Sequence, residues 1–198
     1  MDIHPITLSG RFVRLEPLSL NHLSDLCAVG LEDEIWRYMV YGWIRSEQDM
    51  RDWIEELLKR QASGSDLPFA VIDLISGKAI GATRYMEIRP KDRGLEIGGT
   101  WYGLAYQHTI VNTESKFLLL QYAFENLGCI RVQFKTDSRN TRSQKALERL
   151  GAVKEGVLRN HMILPDGTIR HSIYYSIIQE EWQTVKERLL QFLNKAYS

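Results

Sequence analysis

The sequence predicts an α+β domain, with helices packed on both faces of a mixed, mostly antiparallel central sheet of about seven strands. Three observations predict it. Alternating apolar runs recur along the chain, and two pairs of them are joined by the turn signals Ser76-Gly77-Lys78 and Pro165-Asp166-Gly167. Amphipathic stripes at helical spacing interrupt these mainly hairpin-connected strands. One stretch, Glu96 to Gly151, carries the order strand, loop, helix, strand, turn, helix. With 198 residues the chain fits a single domain, 1–198, able to bury ~70% of its unfolded surface without a metal or disulfide staple.

The first strand, Arg11–Leu15, opens after Gly10 and stops at Pro17. Ser19 is positioned to cap a helix whose Leu20, Leu23, Leu26 and Cys27 share one face. Glu34–Ile44 is dense in aromatics, with Trp36, Tyr38, Tyr41 and Trp43. A second helix starts at Ser46–Gln48 and presents Met50, Trp53, Ile54, Leu57 and Leu58 as a stripe, ending near Ser63-Gly64. Leu67–Leu74 and Ala79–Ile88 pair as a hairpin, and Leu95–Tyr102 follows a turn at Pro90–Gly94. Next come a loop at Gly103–Asn112, a helix at Thr113–Leu127, a strand at Ile130–Thr136 and a helix at Thr141–Leu150. Ala152–Leu164 and Thr168–Ile178 are the last strands, and Trp182–Leu193 is a closing amphipathic helix.

Lys plus Arg and Asp plus Glu balance at 25 each, which argues against a nucleic-acid surface as the main business. Two isolated cysteines, Cys27 and Cys129, make neither a disulfide framework nor a zinc site, and no metal is expected. The start, MDIHPITLSG, lacks a basic segment followed by an apolar one, and no run reaches the ~18 apolar residues of a membrane span. A cytoplasmic protein with no membrane partner is therefore expected. Within the central stretch, the loop entering the helix is a natural anion seat, because a helix N-terminus has unpaired N–H groups and a favourable dipole.

The residues Glu96-Ile97-Gly98, Trp101, Gln107, Asn112-Thr113-Glu114, Tyr122-Ala123-Phe124, Leu127-Gly128, Asn140-x-x-Ser143, Leu150-Gly151 and Glu155–Arg159 together resemble the GCN5-related N-acetyltransferases, the GNAT family, and in particular its RimJ and RimL branch. The resemblance runs from about Arg11 to Trp182. It implies a GNAT fold in which the parallel strands Leu95–Tyr102 and Ile130–Thr136 splay apart and admit acetyl-CoA as cosubstrate. The pantetheine would pair with the freed backbone like an added strand, with the thioester held near Trp101 and Tyr102. The pyrophosphate would lie on Gln107, His108, Thr109, Ile110, Val111, Asn112 and Thr113, and Asn140 would meet the pantetheine amide.

Two departures from the family pattern stand out. The family's phosphate loop has small residues where this chain has Ile110 and Asn112. A β-branched Ile resists φ > 0, so the N–H groups are expected to come from a helical backbone, with Thr109 or Thr113 adding hydroxyls. Val111–Lys116 is similar to a sub-branch reading V-N-T-E-x-K, in which this altered loop is usual. The family's usual tyrosine acid falls at Leu147, so the resemblance leaves Ser143 as the acid. A thiolate leaving group needs little protonation help, its thiol pKa being ~8.5.

For the base that takes the acceptor's proton, Glu96 comes first, His161 second and Glu114 third, the last better suited to complementing the helix dipole. Trp36, Tyr38 and Tyr41 are the candidate walls of the acceptor slot. Lys116 and Lys145 are expected as exposed helix lysines. The implied activity is transfer of the acetyl group to a primary amine, on a protein N-terminus or a small molecule, by direct attack. The alternative is a non-catalytic acyl-CoA-binding or protein-interaction module, and a third possibility is transfer of a longer acyl group. A homodimer through the final hairpin and helix is also implied.

Overall fold

The computed structural model of the chain describes residues 1–195. Its elements run β1 (Leu8–Ser9), β2 (Val13–Pro17), α1 (Leu23–Gly30), α2 (Asp33–Trp36), α3 (Glu47–Ala62), β3 (Leu67–Asp73), β4 (Ala79–Arg89), β5 (Gly94–Tyr102), α4 (Ile110–Gln121), β6 (Arg131–Asp137), α5 (Thr141–Leu150), β7 (Val153–Ile163), β8 (Ile169–Ile178) and α6 (Gln179–Lys195). The strands form one sheet in the order β1-β2-β3-β4-β5-β6-β8-β7. Neighbours are antiparallel except β5 and β6, which are parallel. The eighth strand is the two-residue β1, too short to show a period in the sequence.

Local chemistry accounts for the boundaries. Ser46 caps α3, its Oγ accepting from the Asp49 N–H at 3.1 Å. Asp73 Oδ2 accepts from the N–H of Ser76, and Asp166 Oδ1 from that of Thr168, which builds the two hairpin turns. α4 begins three residues earlier than the sequence implies, because Thr109 takes the cap position: its Oγ1 accepts from Val111 N and donates to the Tyr106 carbonyl. The helix continues through a wider turn at Tyr122–Asn126.

Each face of the sheet has its own core. On one face Val13, Leu15, Phe69, Tyr85, Leu95 and Phe134 pack against Leu119 of α4, Leu147 of α5 and Leu189 of α6. On the other, Ala70, Ile72, Ala82 and Trp101 pack against Leu26, Trp36, Met50 and Ile54. On this second face α1 packs on β4 and α3 on β3. Strand alternation gathers Gln133 and Lys135 of β6 with Arg170, Ser172 and Tyr174 of β8 on the same face, farther along the sheet. Among the described residues no helix is long and apolar enough to cross a membrane.

Candidate active site

β5 and β6 are in register only at Gly94–Arg131, Leu95–Val132 and Glu96–Gln133. Both strands then run on apart. β5 stays paired with β4 as far as Tyr102, and β6 with β8 as far as Asp137. The facing backbone groups of these two arms have no ladder partner across the gap, so an extended ligand can supply one. Each arm feeds a helix: β5 leads through Gly103–Thr109 into α4, and β6 leads through Ser138–Asn140 into α5. Two helix N-termini therefore follow the two arms.

The β5 arm carries a bulge. Arg84 pairs with Gly98 and Ala82 with Trp101, so two residues of β5 face Thr83 alone. Gly99 takes φ +57 there, and a Cβ on it would meet Tyr41 Oη at 3.0 Å and Arg84 Nε at 3.1 Å. The bulge shifts the side-chain alternation. Leu95 and Ile97 face the α4 side, as Tyr102 does, whereas Trp101 faces α1 and α3. The Gly98-Gly99 doublet is the local sequence signal of this bulge.

At the α4 terminus Thr109 satisfies the Val111 N–H and leaves those of Ile110 and Asn112 for a ligand. His108, at φ +61, is the left-handed residue of this loop, so Ile110 never needs a positive φ. Gln107 Nε2 donates to the Tyr102 carbonyl at 3.1 Å, and Gln107 Oε1 accepts from Arg142 of α5, which ties the two helix N-termini together. Several expected side-chain roles are corrected here. The Thr109 hydroxyl donates to Tyr106. Thr113 is buried, and its hydroxyl accepts from Arg149 Nη1. Val111 lies in the core, and Asn112 Oδ1 accepts from the Tyr102 hydroxyl at 3.3 Å. In this segment the backbone, not the side chains of Val111 and Thr113, is what a phosphate could meet.

On the face opposite α4, Glu96, 2% exposed, accepts from Gln133 Nε2 at 2.9 Å and lies 3.6 Å from Lys135 Nζ. Arg84 of β4 pairs with buried Asp66 at 3.0 Å. His161 Nδ1 is 2.9 Å from Ser172 Oγ, with its ring edge-on to Tyr174. Burial, then Lys135 and Arg170, hold its pKa below the ordinary histidine value. Glu114 is no base: its carboxylate accepts the N–H groups of Arg11, Phe12 and Val13 and pins the start of β2.

A cleft of about 490 Å³ opens between the α2 segment and the start of α5, lined among others by Tyr38, Trp43, Arg139, Asn140 and Arg142. It brings Tyr38 and Asn140, far apart in sequence, to one place. Asn140 Oδ1 caps α5 through the Ser143 N–H at 3.0 Å, which leaves its Nδ2 to donate elsewhere. Tyr41 packs under Arg84, its ring 5.2 Å from the guanidinium carbon. Trp36 is not a wall of the cleft: it is 1% exposed, donates from Nε1 to the Gly30 carbonyl and packs on Trp53 and Trp101. The Trp101 ring belongs to the same core, so only its backbone can serve the gap. Lys116 is buried rather than exposed. Lys135 and Arg142 join the site through long-range contacts that no local pattern announced. Among the described residues no cluster of three or more His, Cys, Asp or Glu side chains is placed to hold a metal.

Residues 13–153 match the family model described as an acetyltransferase (GNAT) domain. A solved protein from T. thermophilus, provisionally called an acetyltransferase, is 39% identical, with a TM-score of 0.89 over 98% of this chain and 100% of that one. A GCN5-related N-acetyltransferase from Brucella melitensis is 31% identical, with a TM-score of 0.90 over 96% of this chain and 86% of that one. Mycobacterium smegmatis RimJ, solved with CoA-disulfide, shares the fold at 21% identity, with a TM-score of 0.80 and 94% of each chain covered.

Proposed function

The chain belongs to the GNAT acetyltransferases, an acetyl-CoA-dependent N-acetyltransferase acting on a primary amine, and from that premise we propose how its own residues divide the work. The β5 arm beyond Glu96 offers its N–H and C=O groups to the pantetheine, and Asn140 Nδ2 donates to a pantetheine carbonyl. The N–H groups of Ile110 and Asn112 receive the pyrophosphate, with Arg142 held beside them by Gln107. What carries this reading is the end of β5–β6 pairing at Glu96 and Gln133, combined with a helix N-terminus after each arm.

Acetyl-CoA supplies the activated acyl carbon. Glu96 takes the proton of the acceptor ammonium, and the free amine attacks that carbon. The C–N bond forms and the C–S bond breaks, while a strand N–H near Trp101 and Tyr102 holds the oxyanion. The nitrogen's second proton passes through the Ser143 hydroxyl to the thiolate, so the serine ends as it began and CoA leaves as the thiol. His161, its pKa held below the ordinary histidine value by burial, Lys135 and Arg170, is the second candidate base. The acceptor enters past Tyr38 and Tyr41. The bulk of buried Phe134 on the β6 arm favours a short acyl group. The RimJ and RimL branch, and with it a protein N-terminus as acceptor, draws support from the sequence motifs and the fold shared with M. smegmatis RimJ. A homodimer would use the outer edge of β7, where Val153, Val157 and Leu158 are exposed.

The first experiment is thermal unfolding with acetyl-CoA, CoA and ATP. Acetyl-CoA at 100 times its Kd adds about 2.7 kcal/mol, a shift of roughly 5–11 °C for a chain of this size. A shift with acetyl-CoA and CoA but little with ATP is expected, followed by turnover on a panel of N-terminal peptides and small amines. No shift at millimolar acetyl-CoA sinks this assignment of the gap. Binding without turnover on any amine favours the non-catalytic module.

A further inference from the structure

Lys116 lies nearly two turns into α4, 5% exposed, in the layer between helix and sheet. Its Nζ donates to Thr100 Oγ1 at 2.6 Å, and Thr100 Oγ1 lies 2.8 Å from Thr83 Oγ1 on β4. Thr100 forms the β5 bulge together with Gly99, past the last pairing with β6. The amine thus reaches from α4 to the strand that the proposed chemistry uses.

The titratable and charged groups that neighbouring elements bring to this layer are engaged elsewhere. Tyr102 of β5 bonds Asn112, and Tyr85 of β4 donates to the Leu119 carbonyl. Arg149 of α5 bonds Thr113, and Glu114 on α4 itself holds the start of β2. From α6 come the apolar Val185 and Leu189. A buried ammonium without a carboxylate partner is costly, whereas a neutral amine bonded to a hydroxyl is tolerated. Burial accordingly brings the Lys116 pKa down to about 7. A methionine of similar length would fill the space without that cost.

We propose that Lys116 is a positioning residue for acetyl transfer: through Thr100 it fixes the β5 arm at its bulge, and it does so as the neutral amine. The proposal rests on the assignment of that arm as the acetyl-CoA seat. Charging the amine turns it toward water and releases Thr100.

The test measures acetyl-CoA Kd by calorimetry from pH 6 to 8.5 for the wild type, Lys116→Met, Thr100→Val and Thr100→Ser. At pH 8, K116M and T100V are each expected to bind roughly tenfold more weakly, a loss of the size that follows misplacement of binding groups. T100S, which keeps the hydroxyl, is expected to stay within about twofold of the wild type. K116M is also expected to melt at a higher temperature than the wild type at pH 7, so stability and binding move in opposite directions. The ratio of K116M to wild-type Kd widens as the pH rises, while ionisation of the cofactor cancels in that ratio. Variants within about twofold of the wild type at every pH overturn the proposal and leave the acetyl-CoA assignment standing. A wild type that does not bind acetyl-CoA removes that assignment instead. If K116M does not fold, T100V against T100S decides: equal losses, or none, overturn the proposal.

Discussion

Gln133 Nε2 donates to Glu96 Oε2 across 2.9 Å at the last rung where β5 and β6 face each other. The candidate base is therefore fixed at the fork by the residue opposite it, with Lys135 keeping a cation 3.6 Å away. Glu96→Gln keeps the shape and removes the base, so kcat/KM for the amine is expected to fall about 100-fold, the scale of general-base catalysis, with acetyl-CoA Kd unchanged. The competing base makes a different prediction. Burial, Lys135 and Arg170 lower the His161 pKa, so an acid limb owed to it lies below the ordinary histidine range and vanishes in His161→Gln. A limb that survives H161Q and disappears in E96Q assigns the base to Glu96.

Glu114 holds the N–H groups of Arg11, Phe12 and Val13 at 2.7–2.8 Å and joins α4 to the edge of the sheet. Glu114→Ala is expected to cost about 3 kcal/mol or more in urea unfolding, because buried donors lose a charged acceptor. A change below about 1 kcal/mol contradicts this role.

The Lys116 amine sets a pH dependence of stability with a definite sign. Its pKa falls from 10.5 to about 7 on folding, so between those values the unfolded chain holds a proton that the native state does not. Stability contributed by this group is lowest at and below pH 7 and rises toward pH 10.5, by up to ~1.4 kcal/mol per pH unit. Urea titrations at pH 7 and 9 check it. The stability advantage of K116M over the wild type should shrink at the higher pH, and an advantage equal at both contradicts it.

Gln107 and Arg142 connect the N-termini of α4 and α5. Arg142→Ala and Gln107→Ala are each expected to weaken acetyl-CoA binding about 3–10-fold, because one charge-assisted contact is lost or left unpositioned. Isothermal titration checks both, and a Kd unchanged in R142A separates Arg142 from the phosphates.

Cys129 is buried, and burial pushes its thiol up to about 11; burial and then Glu47 raise that of half-buried Cys27. With DTNB at pH 8, Cys129 is expected to stay unlabelled in the native protein and to react at once in urea. Native labelling at the rate of a free thiol contradicts the packing around it.

Much of the fold was legible because its signals are local. The stripe Met50-Trp53-Ile54-Leu57, the hairpin turns at Ser76 and Asp166 and the helix start at Ser46 act within a few residues, and each element follows from such contacts. The motifs likewise marked the strand–loop–helix stretch and Glu96. Less legible was where side chains go once helix and sheet close. The V-N-T-E-x-K segment reads as part of a phosphate loop. In space Asn112 meets Tyr102, Thr113 meets Arg149, Glu114 holds β2 and Lys116 reaches Thr100. Trp36 and Tyr38 look alike in the chain, yet one fills the core and the other lines the cleft.

By itself, then, the sequence determined most of the elements and their order, since periodicity, caps and turns are set by neighbours in the chain. Only the tertiary structure decided which polar groups are buried, which are paired and which remain to act. Those depend on partners up to about a hundred residues away, such as Glu114 and the N–H of Val13, and on a bulge at Gly99–Thr100 that changes the face each later side chain of β5 takes.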